Sequence, residues 1–222
     1  LLEIKKGETI LDLACGPGFF SQAFLKEGAK VIGVDVAKEL ISIAKGQTEE
    51  KFKKNILFFT APAHELRFLK DNTSDKAVIV LAIQNMENIQ QVFEECSRIL
   101  KPGGKLFLVM NHPAFRVPKV SSWGWDGENK TQYRRIDGYI SESKTKIQMH
   151  PGDKPSKYTL SFHRPLQAYF KALQKSGFSV ARLEEWNSNK KSGPGPRREA
   201  EDRARKEIPL FLFLEAIKIG FI

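Results

Sequence analysis

Between residues 8 and 110 the chain repeats one arrangement, a run of five to eight largely apolar residues followed by an amphipathic stretch or a turn. The runs are ETILDLA (8–14), KVIGV (30–34), NILFFTA (55–61), KAVIVLAI (76–83) and KLFLVM (105–110). None alternates apolar with polar, so none can leave one face in water. Strands of that kind belong in a parallel sheet covered by helices on both faces. The stretches FFSQAFLKE (19–27), AKELISIAK (37–45) and NIQQVFEECSRILK (88–101) place apolar residues at helical spacing. Gly28 suits the C-terminal cap of the first, and the PGG at 102–104 stops the third. The expected fold is therefore α/β and doubly wound.

The arrangement breaks at Asn111. From there to Pro165 the chain turns to Trp, Tyr, Arg, Lys, Pro and Gly, with short stretches such as YRRIDGYI (133–140) and KYTLSFH (157–163). We read 111–165 as an inserted cap with a few short strands, within a single domain spanning 1–222. A segment of that size, with no disulfide or metal to staple it, sits near the lower limit for folding alone. PLQAYFKALQKSGF (165–178) resumes as a helix ending at Gly177, and SVARLEEW (179–186) as a strand. KSGPGPRREAEDRARKE (191–207) is a polar connection, a loop and then a short exposed helix. IPLFLFLEAIKI (208–219) is a strongly apolar seventh strand. Because no crossover joins it to its neighbour, it should insert antiparallel.

The stretch LDLACGPGFFS (11–21) runs from a strand through a glycine-rich turn into a helix. A dinucleotide site asks for G-x-G-x-x-G, with free N–H groups facing a pyrophosphate. Here the third position is Ser21, Pro17 has no N–H, and Asp12 places a carboxylate in the strand. A carboxylate repels a pyrophosphate and attracts a cation. A Walker loop is excluded, since no G-K-[ST] follows. S-adenosylmethionine has no phosphate and carries a sulfonium and an ammonium, so it fits better. Asp35, at the end of the second run, is placed to accept hydrogen bonds from both ribose hydroxyls. A carboxylate such as Asp12 in an apolar strand is costly unless something compensates it.

LDLACGPG (11–18), VIGVD (31–35) and RILKPGGKLFLV (98–109) together carry a family signature. The sequence resembles class I S-adenosylmethionine-dependent methyltransferases, in particular the type 11, small-molecule branch that includes the ubiquinone and menaquinone C-methylases. The resemblance implies a Rossmann-like seven-stranded sheet with an antiparallel last strand. It implies S-adenosyl-L-methionine as cofactor and S-adenosyl-L-homocysteine as product, lying across the carboxyl ends of strands one, two and four. The implied cofactor-binding residues are Asp12, Ala14, Cys15, Gly16, Gly18, Asp35, Val36, Ala63, His64 and Leu81. Two departures stand out. Ala14 replaces a frequent Gly, and APAHELRF (61–68) puts Pro62 where the family often has an acid near the adenine amino group. Adenine contacts then pass to Ala63 and His64. After the fourth strand, Asn85 is followed by Met86 and Glu87, so the Asn/Asp-Pro-Pro-aromatic motif of amino-methylating nucleic-acid enzymes is missing.

The insertion holds His112, Trp123, Trp125, Tyr133, Tyr139, His150 and His163 among several arginines. Such a mixture makes a base-stacking platform, a lid over an aromatic or anionic small molecule, or simply the lid's own small core. His112, Tyr133 and His163 are candidate bases if the acceptor must lose a proton. Asn85, Trp123, Arg134 and Arg164 are candidate substrate contacts. Cys15 reads as a small buried packer before it reads as a nucleophile. His64 either touches cofactor or is a surface residue. The two cysteines lie in unrelated settings, and no metal site is expected.

The formal charge of +10 is uneven: residues 1–110 carry 15 basic against 14 acidic side chains, and the remainder 21 against 12. That asymmetry suits an anionic substrate or partner, although many enzymes are basic without one. The expected function is methyl transfer to a small organic acceptor, anionic or aromatic. The alternatives are an RNA or other macromolecule held by the basic second half, and a cofactor-binding protein without transferase activity. No apolar run is long enough to span a bilayer, and no secretory signal is visible. The chain opens on Leu1 rather than Met, which suggests a trimmed upstream segment. A cytoplasmic location is the default expectation.

Overall fold

A computed structural model of the chain describes residues 1–148 and 158–219, so His150 lies outside the described residues. In chain order the first half gives β1 (Thr9–Leu13), α1 (Phe19–Lys26), β2 (Lys30–Asp35), α2 (Lys38–Gln47), β3 (Ile56–Thr60), β4 (Ser74–Val80), α3 (Ile89–Ile99) and β5 (Leu100–Asn111). The second half gives β6 (Ser121–Asp126), β7 (Thr131–Ile136), β8 (Ser143–Gln148), β9 (Tyr158–His163), α4 (Leu166–Lys175), β10 (Phe178–Trp186), α5 (Arg198–Glu207) and β11 (Phe211–Lys218). Single 3₁₀ segments precede β3 (Glu50–Asn55) and follow β4 (Ile83–Asn85).

Seven of these strands form one sheet in the order β10–β11–β5–β4–β1–β2–β3. The apolar runs β1 to β5 pair parallel, and β11 runs antiparallel between β5 and β10. The sheet is thus α/β, Rossmann-like and closed by a reversed last strand. Order reverses at β1, which has β4 on one side and β2 on the other. A crevice opens at such a switch point, beyond the carboxyl ends of the strands.

Both faces are covered. Leu11, Leu13, Ile79, Leu108 and Leu214 pack with Phe93 of α3 and Leu173 of α4 on one face. Ile10, Val31, Phe107 and Phe213 pack with Phe24 and Leu25 of α1 and Ile41 of α2 on the other. Each fully buried large side chain contributes about 1.5–3 kcal/mol. The alternation along β1 also decides where Asp12 points. It shares the face of Ile10, towards α1.

Gly28 ends α1 as expected, at φ +89°, with its N–H on Leu25 O and the Ala29 N–H on Phe24 O. That is the paired-bond C-terminal motif in which glycine avoids a Cβ penalty. The third helix is shorter than its periodicity suggested. It stops at Ile99, and residues 100–104 begin β5 instead. Pro102 disfavours helical torsions at Lys101, and the register against β4 shifts across the Pro-Gly-Gly segment. The insertion forms two antiparallel hairpins, β6–β7 and β8–β9, apart from the main sheet. Among the described residues no helix is long and apolar enough to cross a membrane.

Candidate active site

The loop between β1 and α1 is held from two sides. Ala14, Gly16 and Gly18 all have positive φ, at +56°, +54° and +84°. The turn folds back on β2, with Cys15 N–H on Val34 O at 3.1 Å and Gly16 N–H on Asp35 Oδ2 at 2.8 Å. The other Asp35 oxygen accepts the Ala37 N–H at 2.8 Å. Each carboxylate oxygen has a second lone pair, so Asp35 retains acceptor capacity towards a ligand.

Asp12 is 2% exposed, and its carboxylate accepts the Ser21 hydroxyl from the first turn of α1. Burial pushes its pKa up to about 7, the Ser21 bond opposes that shift, and the Asp35 charge adds to it. The Cys15 thiol is pushed up by burial and by both carboxylates, which keeps it protonated and unreactive.

A cavity of about 450 Å³ opens at these strand ends. Ala14, Asp35, Val36, Ala63 and His64 line it, as does Asn85 on the 3₁₀ turn after β4. Pro62, Met86, Glu87, Asn88 and Gln91 also line it. No lysine or arginine is among them. The cavity is of ligand size, and its only full charges are carboxylates.

The sequence profile of a methyltransferase domain matches residues 11–108. A demethylmenaquinone methyltransferase of Lactococcus lactis is 35% identical over 117 residues, covering 51% of this chain and 46% of that protein. A ubiquinone biosynthesis O-methyltransferase of Coxiella burnetii is 33% identical over 105 residues, covering 46% and 43% respectively. The crystal structure of an S-adenosylmethionine-dependent methyltransferase from Mesorhizobium loti superposes with a TM-score of 0.75 at 26% identity, over 96% of this chain and 91% of that one. The chain is similar to the class I S-adenosylmethionine-dependent methyltransferases in residues 11–108 and in its fold. It spans somewhat under half the length of the two curated relatives.

The family's cofactor suits what lines this cavity. Two carboxylates, with no lysine or arginine, favour a nucleoside that carries positive charge and no phosphate. Asp35 and Val36 of the expected cofactor set come from the end of β2, and Ala63 and His64 from the loop after β3. His64 is partly exposed, with Nε2 3.5 Å from Glu65. Asp12, Cys15, Gly16 and Gly18 form the floor and turn beneath, outside the residues that line the cavity. Leu81 caps the end of β4 at φ +52°, with its N–H on Val109 O.

The expected substrate contacts divide into two groups. Asn85 and Arg164 sit at the seam between the sheet and the β8–β9 hairpin. The Asn85 amide donates to Leu160 O at 2.9 Å, and Arg164 donates to Glu87 O. Lys144 of β8 pairs with Glu87 at 2.9 Å across the same seam. Trp123 and Arg134 lie instead in the β6–β7 hairpin. Arg134 holds Phe115 O and Ser121 Oγ, both at 2.7 Å, and stacks on Trp123 at 5.2 Å. Arg197, just before α5, covers Trp125 at 4.6 Å, so this hairpin leans on α5.

Of the candidate bases, His112 is buried with both ring nitrogens engaged. Nδ1 accepts the Ala114 N–H at 3.2 Å, and Nε2 lies 2.8 Å from Glu185. His163 gives its Nε2 to Tyr139 O at 2.7 Å. A carbonyl only accepts, so Nε2 carries the hydrogen and Nδ1 is the basic atom. Tyr133 is half exposed, with its ring laid over Gly124 in the neighbouring strand.

Ser21, Asn88 and Gln91 were missed by sequence reasoning. A signal existed for the last two. Asn88 caps α3 by accepting the Gln91 N–H at 3.3 Å, and an Asn-x-x-Gln start after a strand aims a helix N-terminus at the strand end.

Proposed function

We propose that the chain transfers the methyl group of S-adenosylmethionine to a small organic acceptor related to the quinones. The observation that carries this reading is the 450 Å³ cavity at the β1, β2 and β4 ends, lined by Asp35 and Glu87 and by no cation. The two quinone-pathway relatives suggest the acceptor class, and the β8–β9 hairpin, tied to the turn after β4, offers a surface beside the cofactor cavity.

When bound, the cofactor supplies an electrophilic methyl on a sulfonium, which is already a good leaving group. The work left to this chain is placement and exclusion of water. Asp35 orients the ribose through its spare lone pairs, while its bonds to Gly16 and Ala37 hold the carboxylate still. Asp12, fixed by Ser21 beneath the glycine turn, would add negative potential for a cationic ligand when ionised. Val36, Ala63 and His64 form the adenine side. Asn85 ties the β8–β9 hairpin to the turn after β4, which keeps solvent from that edge. If the acceptor arrives as a hydroxyl, His163 Nδ1 is a candidate to take its proton.

The test is a transfer assay with radiolabelled S-adenosylmethionine on a panel of demethylated quinols, run beside calorimetry of S-adenosylhomocysteine. Saturable product binding together with methyl incorporation into a quinol supports the reading. Product binding without transfer to any member of the panel would leave a cofactor-binding protein of another role.

A further inference from the structure

We infer that a second, smaller cavity beside the methyl-transfer site anchors the acceptor by an anionic oxygen with a neighbouring hydroxyl. The inference rests on the transferase reading above and gives that acceptor a chemical class. The cavity has about 30 Å³ of usable space and lies between the turn after β4, the residues following β5 and the end of β9. Gln84 lines it, while Asn85, the next residue on the same turn, lines the cofactor cavity. The two cavities therefore share one turn of backbone.

Arg164 is 7% exposed and uses its guanidinium unevenly. Nη2 donates to Glu87 O, and Nε has Glu142 at 3.9 Å. Nη1 is buried and has no hydrogen-bond partner, while the Tyr169 hydroxyl interacts with the same guanidinium from another wall of the cavity. Gln84 is left in the complementary state. Its Nε2 donates to Leu81 O at 2.6 Å, which fixes the amide orientation, and its Oε1 is buried with no partner. A third wall is Arg116, whose pKa burial lowers and which stacks on Phe211 at 5.2 Å. Among the described residues Arg116 pairs with no carboxylate.

Buried polar atoms are nearly always satisfied, and an unpaired one marks a place where something else binds. Here the side chains that carry an unpaired buried donor and an unpaired buried acceptor line one cavity, beside the partly buried guanidinium of Arg116. An anionic oxygen answers Nη1 and Arg116, and an adjacent hydroxyl donates to Gln84 Oε1. Size narrows the ligand further. The cavity of about 30 Å³ is far smaller than the 450 Å³ cofactor cavity, which suits one polar edge of a ligand rather than its body. The body of the molecule must stay outside, with its carboxylate or phenolate edge inserted.

The probe is salicylate, which sets a carboxylate beside a hydroxyl, and its neutral counterpart is salicylamide. Both are titrated by NMR into the full chain, with and without saturating S-adenosylhomocysteine. Salicylate should bind in the millimolar range or tighter and salicylamide at least about tenfold more weakly, a factor characteristic of a lost charged hydrogen bond. Arg116→Met should weaken salicylate binding, and Gln84→Glu should abolish it, because the new carboxylate would satisfy Arg164 internally. Both variants should keep wild-type affinity for S-adenosylhomocysteine. These two positions are chosen because Arg164→Met would also release the Glu87 carbonyl and could unfold the seam. Equal binding of the two probes, no saturable salicylate binding to about 10 mM, or variants that bind it like wild type would overturn the proposal. So would a crystal structure with only water between Nη1 and Oε1 and the anion elsewhere. Failure of S-adenosylhomocysteine to bind at all would instead sink the transferase reading, since salicylate is scored separately without it.

Discussion

The Ser21 hydroxyl donates to the Asp12 carboxylate, and this one bond joins the middle of β1 to the first turn of α1 beneath the glycine turn. Asp12 is held there at a pKa of about 7, so its charge is undecided near neutral pH. Its unfolded value lies near 3.8.

The sign of the pH dependence follows from that displacement. Between about pH 4 and 7 the unfolded chain has lost this proton and the folded chain has kept it. Asp12 therefore costs the fold about 1.4 kcal/mol for each unit that pH rises through this window, and nothing more above it. A cationic ligand prefers the ionised form, so affinity for S-adenosylmethionine should climb from pH 6 to pH 8 with proton release on binding. Asp12→Asn should flatten both trends, gaining stability at pH 8 while binding more weakly. Calorimetry in buffers of different ionisation enthalpy reads the released proton, and a pH-independent affinity would contradict the role.

Asp35→Ala should weaken S-adenosylhomocysteine by about 10- to 100-fold, from lost charge-assisted bonds worth about 1.5–3 kcal/mol. Removing the carboxylate also frees the Gly16 and Ala37 N–H groups it now holds. Asp35→Asn, which keeps one acceptor, should fall between the two. Unchanged affinity in a folded Asp35→Ala protein would remove Asp35 from the site.

NAD and ATP should give no saturable thermal shift. The cavity offers a phosphate two carboxylates, no lysine and no arginine, and Pro17 withholds one backbone donor from the turn. A shift with NAD equal to that with S-adenosylhomocysteine would undo the cofactor assignment.

Arg134→Met should act on the β6–β7 hairpin and not on the cofactor. Its guanidinium is spent on Phe115 O, Ser121 Oγ and the Trp123 ring. Hydrogen exchange across residues 121–136 should quicken while S-adenosylhomocysteine affinity holds. Weaker cofactor binding with unaltered exchange would mean that the residue reaches the site.

Much of the sheet was legible because its strands are buried on both faces, and continuous apolar runs such as KAVIVLAI have few other uses. Asp12 and Asp35 stood out because carboxylates at apolar strand ends need a reason. The β8 strand, SKTKIQ, gave no such signal. It lies in a partly exposed hairpin whose pairing with β9 is carried by backbone bonds. The Asn85–Leu160 bond joins residues 75 apart in sequence, and no local pattern announces a contact of that kind. Arg134 and Arg164 read alike in the sequence, as arginines in one basic insertion. Only burial and partners separate the one that clamps a hairpin from the one with a donor unspent.

The reversed strand also sets the timing of assembly on the ribosome. One edge of β5, carrying Leu106, Leu108 and Met110, is completed by β11, which is translated about 100 residues later. At a synthesis rate of about 5–20 residues per second, that edge waits roughly 5–20 s for its neighbour. During the interval the nascent chain presents an open apolar strand, the kind of surface that seeds mispairing with another chain. Substitutions that weaken β11 should therefore lower the yield of native protein more than they lower the stability of the protein that does fold.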